Sequence, residues 1–261
     1  MRLAFSQNGK EFLASSIIPT PKDFDEGMAE IKKFSRGKEI KTVVGGIASV
    51  LDRKKNKLIN PLNIESWKGR ALKKVLQDMF KADVFIENDA DLAGLGEALY
   101  GAGRGKRIVA YLTISTGVGG VRIVDKKIDA NAMGFEPGHH ILFAGGNICS
   151  CGGKGDLEAY ISGSALEKRY GKKPQKITDK KIWDEEAIIL AYALNNVTVF
   201  WSPDIIILGG SLMEKISLEQ VRACTKKALK IFPSPPAIKR AEFGDLAGLH
   251  GALALLQAQG I

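Results

Sequence analysis

The stretch DVFIENDADLAGLGEALYGAG at residues 83–103 decides the fold class. Its apolar start, residues 83–87, predicts a β-strand, and its Ala- and Leu-rich continuation, residues 89–100, predicts an α-helix. The same succession of strand and helix recurs in both directions along the chain. Alternation of this kind is typical of an α/β fold with partly parallel sheets.

Further elements follow from the same patterns. Short apolar runs at residues 3–5 and 12–16 flank Asn8-Gly9, a pair that favours a β-hairpin. Asp23 is a candidate N-cap for a helix at residues 24–34. The remaining strands are predicted at 41–47, 108–115, 120–124 and 205–208, and the remaining helices at 67–80, 164–170, 185–200, 218–231 and 246–257.

The composition is that of a soluble globular protein. Hydrophobic residues make up 45% of the 261 positions and charged residues 26%, and no apolar run resembles a membrane span or a signal peptide. We therefore expect a cytoplasmic protein without a membrane partner. The net charge of +9 attracts anions, but the lysines are dispersed and no aromatic residues interleave with them. This distribution favours a solvated basic surface over a nucleic-acid site.

An amide and a carboxylate stand together where the strand at 83–87 ends. Asn88 and Asp89 follow this strand and open the next helix. In α/β sheets, ligands bind at the carboxyl ends of strands, where a carboxylate can take a proton from a substrate hydroxyl and an amide can bind a second hydroxyl. The alternative is that either side chain caps the helix, and for this pair alone that alternative is favoured.

Two glycine segments follow strands further along the chain. In STGVGG, residues 115–120, backbone N–H groups can form a phosphate cradle, although a tight hairpin turn uses the same residue types. In IIILGGS, residues 205–211, an apolar strand runs into Gly209-Gly210, which permits close approach of a flat ligand such as adenine. An ordinary turn between a strand and a helix explains this second segment equally well.

A histidine and two cysteines lie in one glycine-rich segment. His139, Cys149 and Cys151 suit tetrahedral zinc, and Asp156 is a candidate fourth ligand through oxygen. The chain has three cysteines, and two of them are separated by one residue, which is a poor framework for disulfides and favours a metal. Two acidic residues of the same segment remain available to bind hydroxyl groups: Glu136 and Glu158.

In this order, the four segments resemble those of the ROK family of sugar kinases and sugar-responsive repressors, over roughly residues 40 to 255. The resemblance implies an α/β fold of the actin-like ATPase, or ribonuclease H-like, type, with sugar and nucleotide in the cleft between two lobes. It implies a small N-terminal lobe at residues 1–90, completed by a C-terminal helix at 246–261, and a large lobe at residues 91–245. A homodimer is implied as well.

The resemblance also implies roles for particular residues. It implies a kinase that uses ATP and Mg²⁺ to phosphorylate a hexose hydroxyl, with Asp89 as general base. The residues implied to hold the sugar are Asn63, Asn88, Glu136, His139 and Glu158. Those implied to bind the nucleotide are Ser115, Thr116, Gly117, Gly119, Gly209 and Gly210. A structural Zn²⁺ is implied at His139, Cys149, Cys151 and Asp156.

Two departures from the family pattern bear on activity. Family kinases begin with a strand and an Asp-x-Gly-Gly-Thr loop for Mg²⁺ and the terminal phosphates, whereas Met1 to Ala4 resembles the strand after it, so we expect this loop and part of the small lobe to be absent. Asp156 replaces the third zinc cysteine, which implies a weaker or empty zinc site. A sugar-binding protein without catalysis is therefore the alternative function. A repressor is disfavoured, because no helix-turn-helix segment precedes Met1.

Overall fold

The structure is a computed structural model and describes residues 1–61 and 64–259. The chain forms two compact units. The first contains residues 1–96, 130–134 and the C-terminal segment from Leu246, and the second contains residues 97–129 and 135–245. Within the described part of the chain, none of the helices has the length and apolar character that a bilayer crossing requires.

Strands and helices alternate along most of the chain. The strands are β1 (Arg2–Phe5), β2 (Ala14–Ile17), β3 (Thr42–Ile47), β4 (Val50–Leu51), β5 (Leu58–Asn60), β6 (Asp83–Asn88), β7 (Ile108–Ile114), β8 (Val118–Val124), β9 (Lys127–Ile128), β10 (Ile205–Gly209) and β11 (Ala237–Arg240). The helices are α1 (Phe24–Phe34), α2 (Leu72–Phe80), α3 (Asp89–Leu99), α4 (Glu158–Ile161), α5 (Gly163–Tyr170), α6 (Lys180–Trp201), α7 (Leu218–Ala228) and α8 (Ala247–Ala258).

A five-stranded sheet organises the second unit. Its order is β11-β10-β7-β8-β9, with β10 parallel to both β7 and β11, and with β8 antiparallel to β7 and β9. All of β10 is buried, and its Ile206 and Leu208 pack in one core with residues of β7, α6 and α7. Because β7 and β10 are parallel and pair Thr113 with Gly209, the segments that follow them leave the sheet at the same edge.

The first unit contains a second parallel pair. β3 and β6 pair in register from Thr42 opposite Asp83 to Ile47 opposite Asn88. The apolar faces of α1 and α2 pack on this pair in a core that includes Phe24 and Trp67. β1 and β2 form the antiparallel hairpin expected around Asn8-Gly9, and Asp23 caps α1 by accepting hydrogen bonds from the N–H groups of its first turn. The α/β class predicted from the sequence is therefore confirmed.

The structure corrects several predicted boundaries: α6 begins at Lys180 instead of 185, and α7 ends at Ala228 instead of 231. The helix predicted at 67–80 begins only at Leu72, because a short 3-10 turn at Glu65–Trp67 is followed by Gly69 with φ +72°, a left-handed conformation that ends the turn. The glycine loop predicted between two strands is shorter than expected. Gly119 and Gly120 belong to β8, so that only residues 115–117 form the turn.

A buried carboxylate fixes the chain where it enters and leaves the second unit. Glu97 is completely buried near the end of α3. Its Oε1 accepts hydrogen bonds from the N–H groups of Glu242 and Phe243 at 2.8 Å, and its Oε2 accepts one from Ala102 at 3.1 Å. These bonds to backbone N–H groups solvate the buried charge and tie residues 97–102 to residues 242–243, which precede α8.

A second buried carboxylate, that of Glu186, lies in a different environment. Glu186, in the second turn of α6, forms an ion pair with Arg169 of α5, but Arg169 Nε and Glu186 Oε2 are buried without a hydrogen-bond partner among the described residues. Burial raises the pKa of Glu186 to about 7, although the Arg169 charge opposes this rise. Folding therefore favours the protonated form, and the stability that this group contributes at low pH is lost as the pH rises through 7.

We predict that Glu186→Gln flattens the pH dependence of stability between pH 5 and pH 7.5. The amide cannot titrate, so the loss expected for the wild-type chain, about 2 kcal/mol, should be missing from the variant. Urea unfolding at a series of pH values measures it, with Glu219→Gln, at an exposed position of α7, as the control. Parallel stability curves for wild type and Glu186→Gln would show that Glu186 does not titrate in this range.

Candidate active site

Asn88 and Asp89 lie at the carboxyl end of β6, at the point where α3 begins. Asn88 Oδ1 and Asp89 Oδ1 both accept the N–H of Ala90, at 2.8 and 2.9 Å. The Asn88 amide also donates to the carbonyl oxygen of Ser49 at 3.4 Å. The capping role considered from the sequence is thus present. It occupies one oxygen of Asp89 and holds the carboxylate in a fixed orientation on the first turn of the helix.

The environment of Asp89 combines exposure with partial desolvation. Desolvation raises the pKa of its carboxyl above the ordinary value, while the Ala90 N–H and the charge of Arg2 oppose the rise. The residue is nevertheless exposed. Because water reaches the side chain, the ionised form stays accessible, and a raised pKa makes this carboxylate a better proton acceptor than an ordinary aspartate.

A basic hairpin, which was not predicted from the sequence, lies next to Asn88 and Asp89. β4 and β5 are antiparallel, and Asp52 closes their connection by accepting the N–H groups of Asn56 and Lys57. Lys55 forms an ion pair with Glu87, the residue before Asn88. The run of cations at residues 53–57 was visible in the sequence, but its pairing with β6 depends on how the hairpin folds.

The turn at residues 115–117 is held by backbone contacts on several sides. Ser115 N–H donates to the Gly117 carbonyl oxygen at 2.9 Å, and the Ser115 carbonyl oxygen accepts the N–H of Gly163 at 2.7 Å. Ser115 Oγ lies 3.3 Å from Ser211 Oγ. The two glycine segments predicted from the sequence therefore meet at one edge of the sheet. The hairpin turn and the proposed phosphate cradle are the same piece of chain.

Glu158 connects this turn to the cysteine segment. Only 8% of the residue is exposed, at the start of α4. Its Oε2 accepts the N–H of Val118 at 2.8 Å, and its Oε1 accepts the hydroxyl of Ser150 at 3.1 Å. A Cβ on Gly117 would lie 2.7 Å from Oε2, so glycine at this position leaves room for the carboxylate. Neither Ser150 nor Val118 was singled out from the sequence.

The four candidate metal ligands lie together in the second unit. The ligand atoms of His139, Cys149, Cys151 and Asp156 all lie within 4.8 Å of one another. His139 Nδ1 is 3.1 Å from Asp156 Oδ2 and 3.8 Å from Cys149 Sγ, and Cys151 Sγ is 3.5 Å from the same Asp156 oxygen. Tetrahedral zinc with bonds of about 2.0–2.3 Å separates its ligands by about 3.2–3.8 Å, so the donor set fits this ion.

The electrostatics of the cluster differ between its thiol and its carboxylate. Burial raises the pKa of the Cys149 thiol to about 12, and the negative charge of Asp156 adds to the rise. Burial acts in the same sense on Asp156, but hydrogen bonds from Cys149 and His139 lower the pKa of its carboxyl below the ordinary value. A cation at this position would favour the thiolate and reverse the effect on Cys149.

The structure brings some of the predicted site residues together, and others lie apart from this group or outside the described residues. In the second unit, the candidate metal ligands, Glu158 and the 115–117 turn form one connected group through Ser150 and Val118. Glu136 is exposed and directly precedes the 3-10 turn Pro137–His139. Asn63, predicted to contact a sugar, lies outside the described residues.

Curated proteins are similar to this chain over about two thirds of its length. A xylose repressor from Bacillus spizizenii is 29% identical over 184 residues, which cover 64% of this chain and 47% of that protein. A glucokinase from Streptomyces coelicolor is 33% identical over 175 residues, covering 65% of this chain and 55% of that enzyme. The chain thus spans about half the length of these curated relatives.

Solved structures show the fold. A ROK family glucokinase from Streptomyces griseus, in complex with glucose and AMPPNP, superposes with a TM-score of 0.81 at 25% identity, covering 97% of this chain and 94% of that one. This likeness confirms the actin-like ATPase fold expected from the sequence. The sequence pattern of the ROK family matches residues 2–259. On this match over nearly its whole length, the chain belongs to the ROK family.

Proposed function

We propose that this protein is an ATP-dependent sugar kinase that phosphorylates a hydroxyl group of a hexose. The observation that carries the proposal is the Asp89 carboxylate, which is exposed at the carboxyl end of a parallel strand and fixed by the Ala90 N–H. The glucokinases similar to this chain support the same class of reaction. Which hexose is phosphorylated does not follow from these residues.

In the proposed reaction, Asp89 accepts the proton of the substrate hydroxyl. The hydroxyl oxygen forms a bond to the γ-phosphorus of ATP, the bond from this phosphorus to the β–γ bridging oxygen breaks, and ADP leaves. Mg²⁺ bound with the nucleotide supplies positive charge that neutralises the phosphates. The His139 cluster contains two thiols and suits zinc rather than Mg²⁺, and Mg²⁺ is usually bound through substrate phosphates.

We assign the sugar-binding roles as the family resemblance implies them. Asn63, Asn88, Glu136, His139 and Glu158 are proposed to bind the sugar hydroxyl groups. The contacts of His139 are compatible with two roles, because its Nδ1 faces Asp156 and Cys149. Its other nitrogen, Nε2, is then the atom that would donate to a sugar, and a ligand on Nδ1 would fix the tautomer in which Nε2 carries the proton.

We assign nucleotide binding to the two glycine segments that meet at Ser115 and Ser211. The N–H groups and hydroxyls of the 115–120 segment are proposed to contact the phosphates, and the 209–210 segment to lie against the adenosine. Gly210 adopts φ +91°, and a Cβ there would lie 2.3 Å from the carbonyl oxygen of Ile114, which explains glycine at this point. The residues of this proposal are Ser115, Thr116, Gly117, Gly119, Gly209 and Gly210.

We further propose that His139, Cys149, Cys151 and Asp156 hold a structural Zn²⁺. Their separations support it, and the Asp156 carboxylate can take the place of the family's third cysteine as a weaker, oxygen ligand. A bound ion would lock the 149–156 segment, which carries Ser150 and leads into Glu158. The homodimer, the cytoplasmic location and the absence of nucleic-acid binding stay predictions, as does the correspondence of the predicted lobes with the two units.

We predict that Asp89→Asn lowers kcat at least about a thousandfold and changes sugar affinity little. The amide keeps the shape and the hydrogen bond to Ala90 but cannot accept the substrate proton. A coupled ADP-release assay over a panel of hexoses measures turnover, and calorimetry measures binding. Asp83→Asn, at the exposed start of the same strand, is the matched control and should retain activity.

The same two measurements separate the kinase from the alternative of a sugar-binding protein without catalysis. Sugar-dependent ADP release by the wild-type chain supports the kinase. Binding of a hexose without any ADP release supports the alternative. Turnover by Asp89→Asn close to the wild-type rate would refute Asp89 as the base while leaving the kinase assignment intact.

We predict that Asp156→Asn weakens zinc binding at least tenfold. The amide retains an oxygen that can accept the Ala159 N–H, which Asp156 Oδ1 now accepts at 2.9 Å, but it removes the anionic ligand oxygen. Competition with a chromophoric chelator measures the affinity. Asp78→Asn, in an exposed ion pair with Lys74, is the control. Equal zinc affinity in Asp156→Asn and wild type would exclude Asp156 as a ligand.

A further inference from the structure

Glu158 is fixed by two segments that are distant in the sequence. One carboxylate oxygen accepts the N–H of Val118, and the other accepts the hydroxyl of Ser150. No Lys, Arg or His of the described chain forms an ion pair with Glu158. Its orientation therefore depends on these two hydrogen bonds and on a longer contact of Oε1 with Cys149 Sγ.

The position of Ser150 is determined by its two neighbours in the sequence. It lies between Cys149 and Cys151, two members of the metal cluster, so the backbone on both sides of it is tied to that cluster. Its hydroxyl, rather than either thiol, makes the short contact with Glu158: the Cys149 Sγ lies 3.9 Å from Oε1, against 3.1 Å for Ser150 Oγ.

We propose that Ser150 is a positioning residue for Glu158: its hydroxyl holds the carboxylate in the orientation that binds sugar and transmits the order of the cysteine segment to the 115–117 turn. This proposal rests on the proposed function for its sugar-binding part only. The serine itself contacts neither the metal nor the nucleotide in this scheme.

The consequence for binding follows from the lone pairs of the carboxylate. Two of its hydrogen-bonding positions are filled by Val118 and Ser150, so the remaining positions point in fixed directions toward any bound hydroxyl. Loss of the Ser150 hydroxyl leaves Oε1 with only the longer contact to Cys149 Sγ, so that the carboxylate can rotate about its bond to the Val118 N–H. Loss of such an orienting partner around a site typically costs about 10–100-fold in affinity or activity.

The turn provides a second route to the same carboxylate. A Cβ at Gly117 would lie 2.7 Å from Glu158 Oε2, and the atom that must yield is the end of a flexible side chain. Gly117→Ala is therefore expected to displace the carboxylate without unfolding the protein. It tests the same coupling from the side opposite to Ser150.

The test compares Ser150→Ala, Ser150→Thr and Gly117→Ala with Ser234→Ala, an exposed loop residue, as control. Hydrogen exchange of the peptide at residues 114–120 is measured on the zinc-loaded chain, together with zinc content and hexose affinity by calorimetry. We expect faster exchange in this peptide and at least tenfold weaker hexose binding for Ser150→Ala and Gly117→Ala. Zinc content should stay unchanged, and Ser150→Thr, which keeps the hydroxyl, should behave as wild type.

The outcomes distinguish this proposal from the proposed function. Unchanged exchange at residues 114–120 in Ser150→Ala overturns the coupling, whatever sugar the protein binds. Loss of zinc in Ser150→Ala also overturns it, because the serine would then act through the metal site. If the wild-type chain binds no hexose of the panel, the proposed function fails, and the exchange data alone decide whether Ser150 positions Glu158.

Discussion

Parallel strand pairing is the constraint on which the candidate site depends. In the second unit, β10 lies beside β7 with Gly209 opposite Thr113, and in the first unit β6 lies beside β3 with Asn88 opposite Ile47. Because parallel partners end at the same edge, each pairing decides where the chain turns out of the sheet and which side chains stand there. A shift of one residue would carry Asn88 to the opposite face of its strand.

The elements that are easiest to predict are those whose hydrophobic pattern in the sequence matches the burial of their residues in the structure. The continuous apolar run at residues 205–208 forms a strand in which every residue is buried, and the sequence of the helix at 24–34 contains both its N-cap and its apolar face. The helix predicted from Trp67 fails for the opposite reason. Trp67 is buried, but it lies in a 3-10 turn. Its side chain packs in the core although the residue is not part of the helix.

The candidate site also has a part that can be predicted from the sequence and a part that cannot. The four candidate metal ligands could be chosen from the sequence because cysteine and histidine have a chemistry that few other roles require, and the structure places these side chains together. Contacts made by common residue types cannot be recognised in this way. The bond from Ser150 to Glu158 and the ion pair of Lys55 with Glu87 depend on where two loops lie after folding, and neither spacing nor composition indicates such a meeting.

The burial of Glu97 has a consequence for how this sequence can vary. A Cβ at position 101 would lie 2.3 Å from Glu97 Oε2, so the absence of a side chain at Gly101 and the length of the glutamate are one steric arrangement. An aspartate at 97 would fall short of the peptide groups of Glu242 and Phe243, and a larger residue at 101 would expel the carboxylate from them. Substitutions at positions 97 and 101 are therefore coupled, because a change at one position is tolerated only with a compensating replacement at the other.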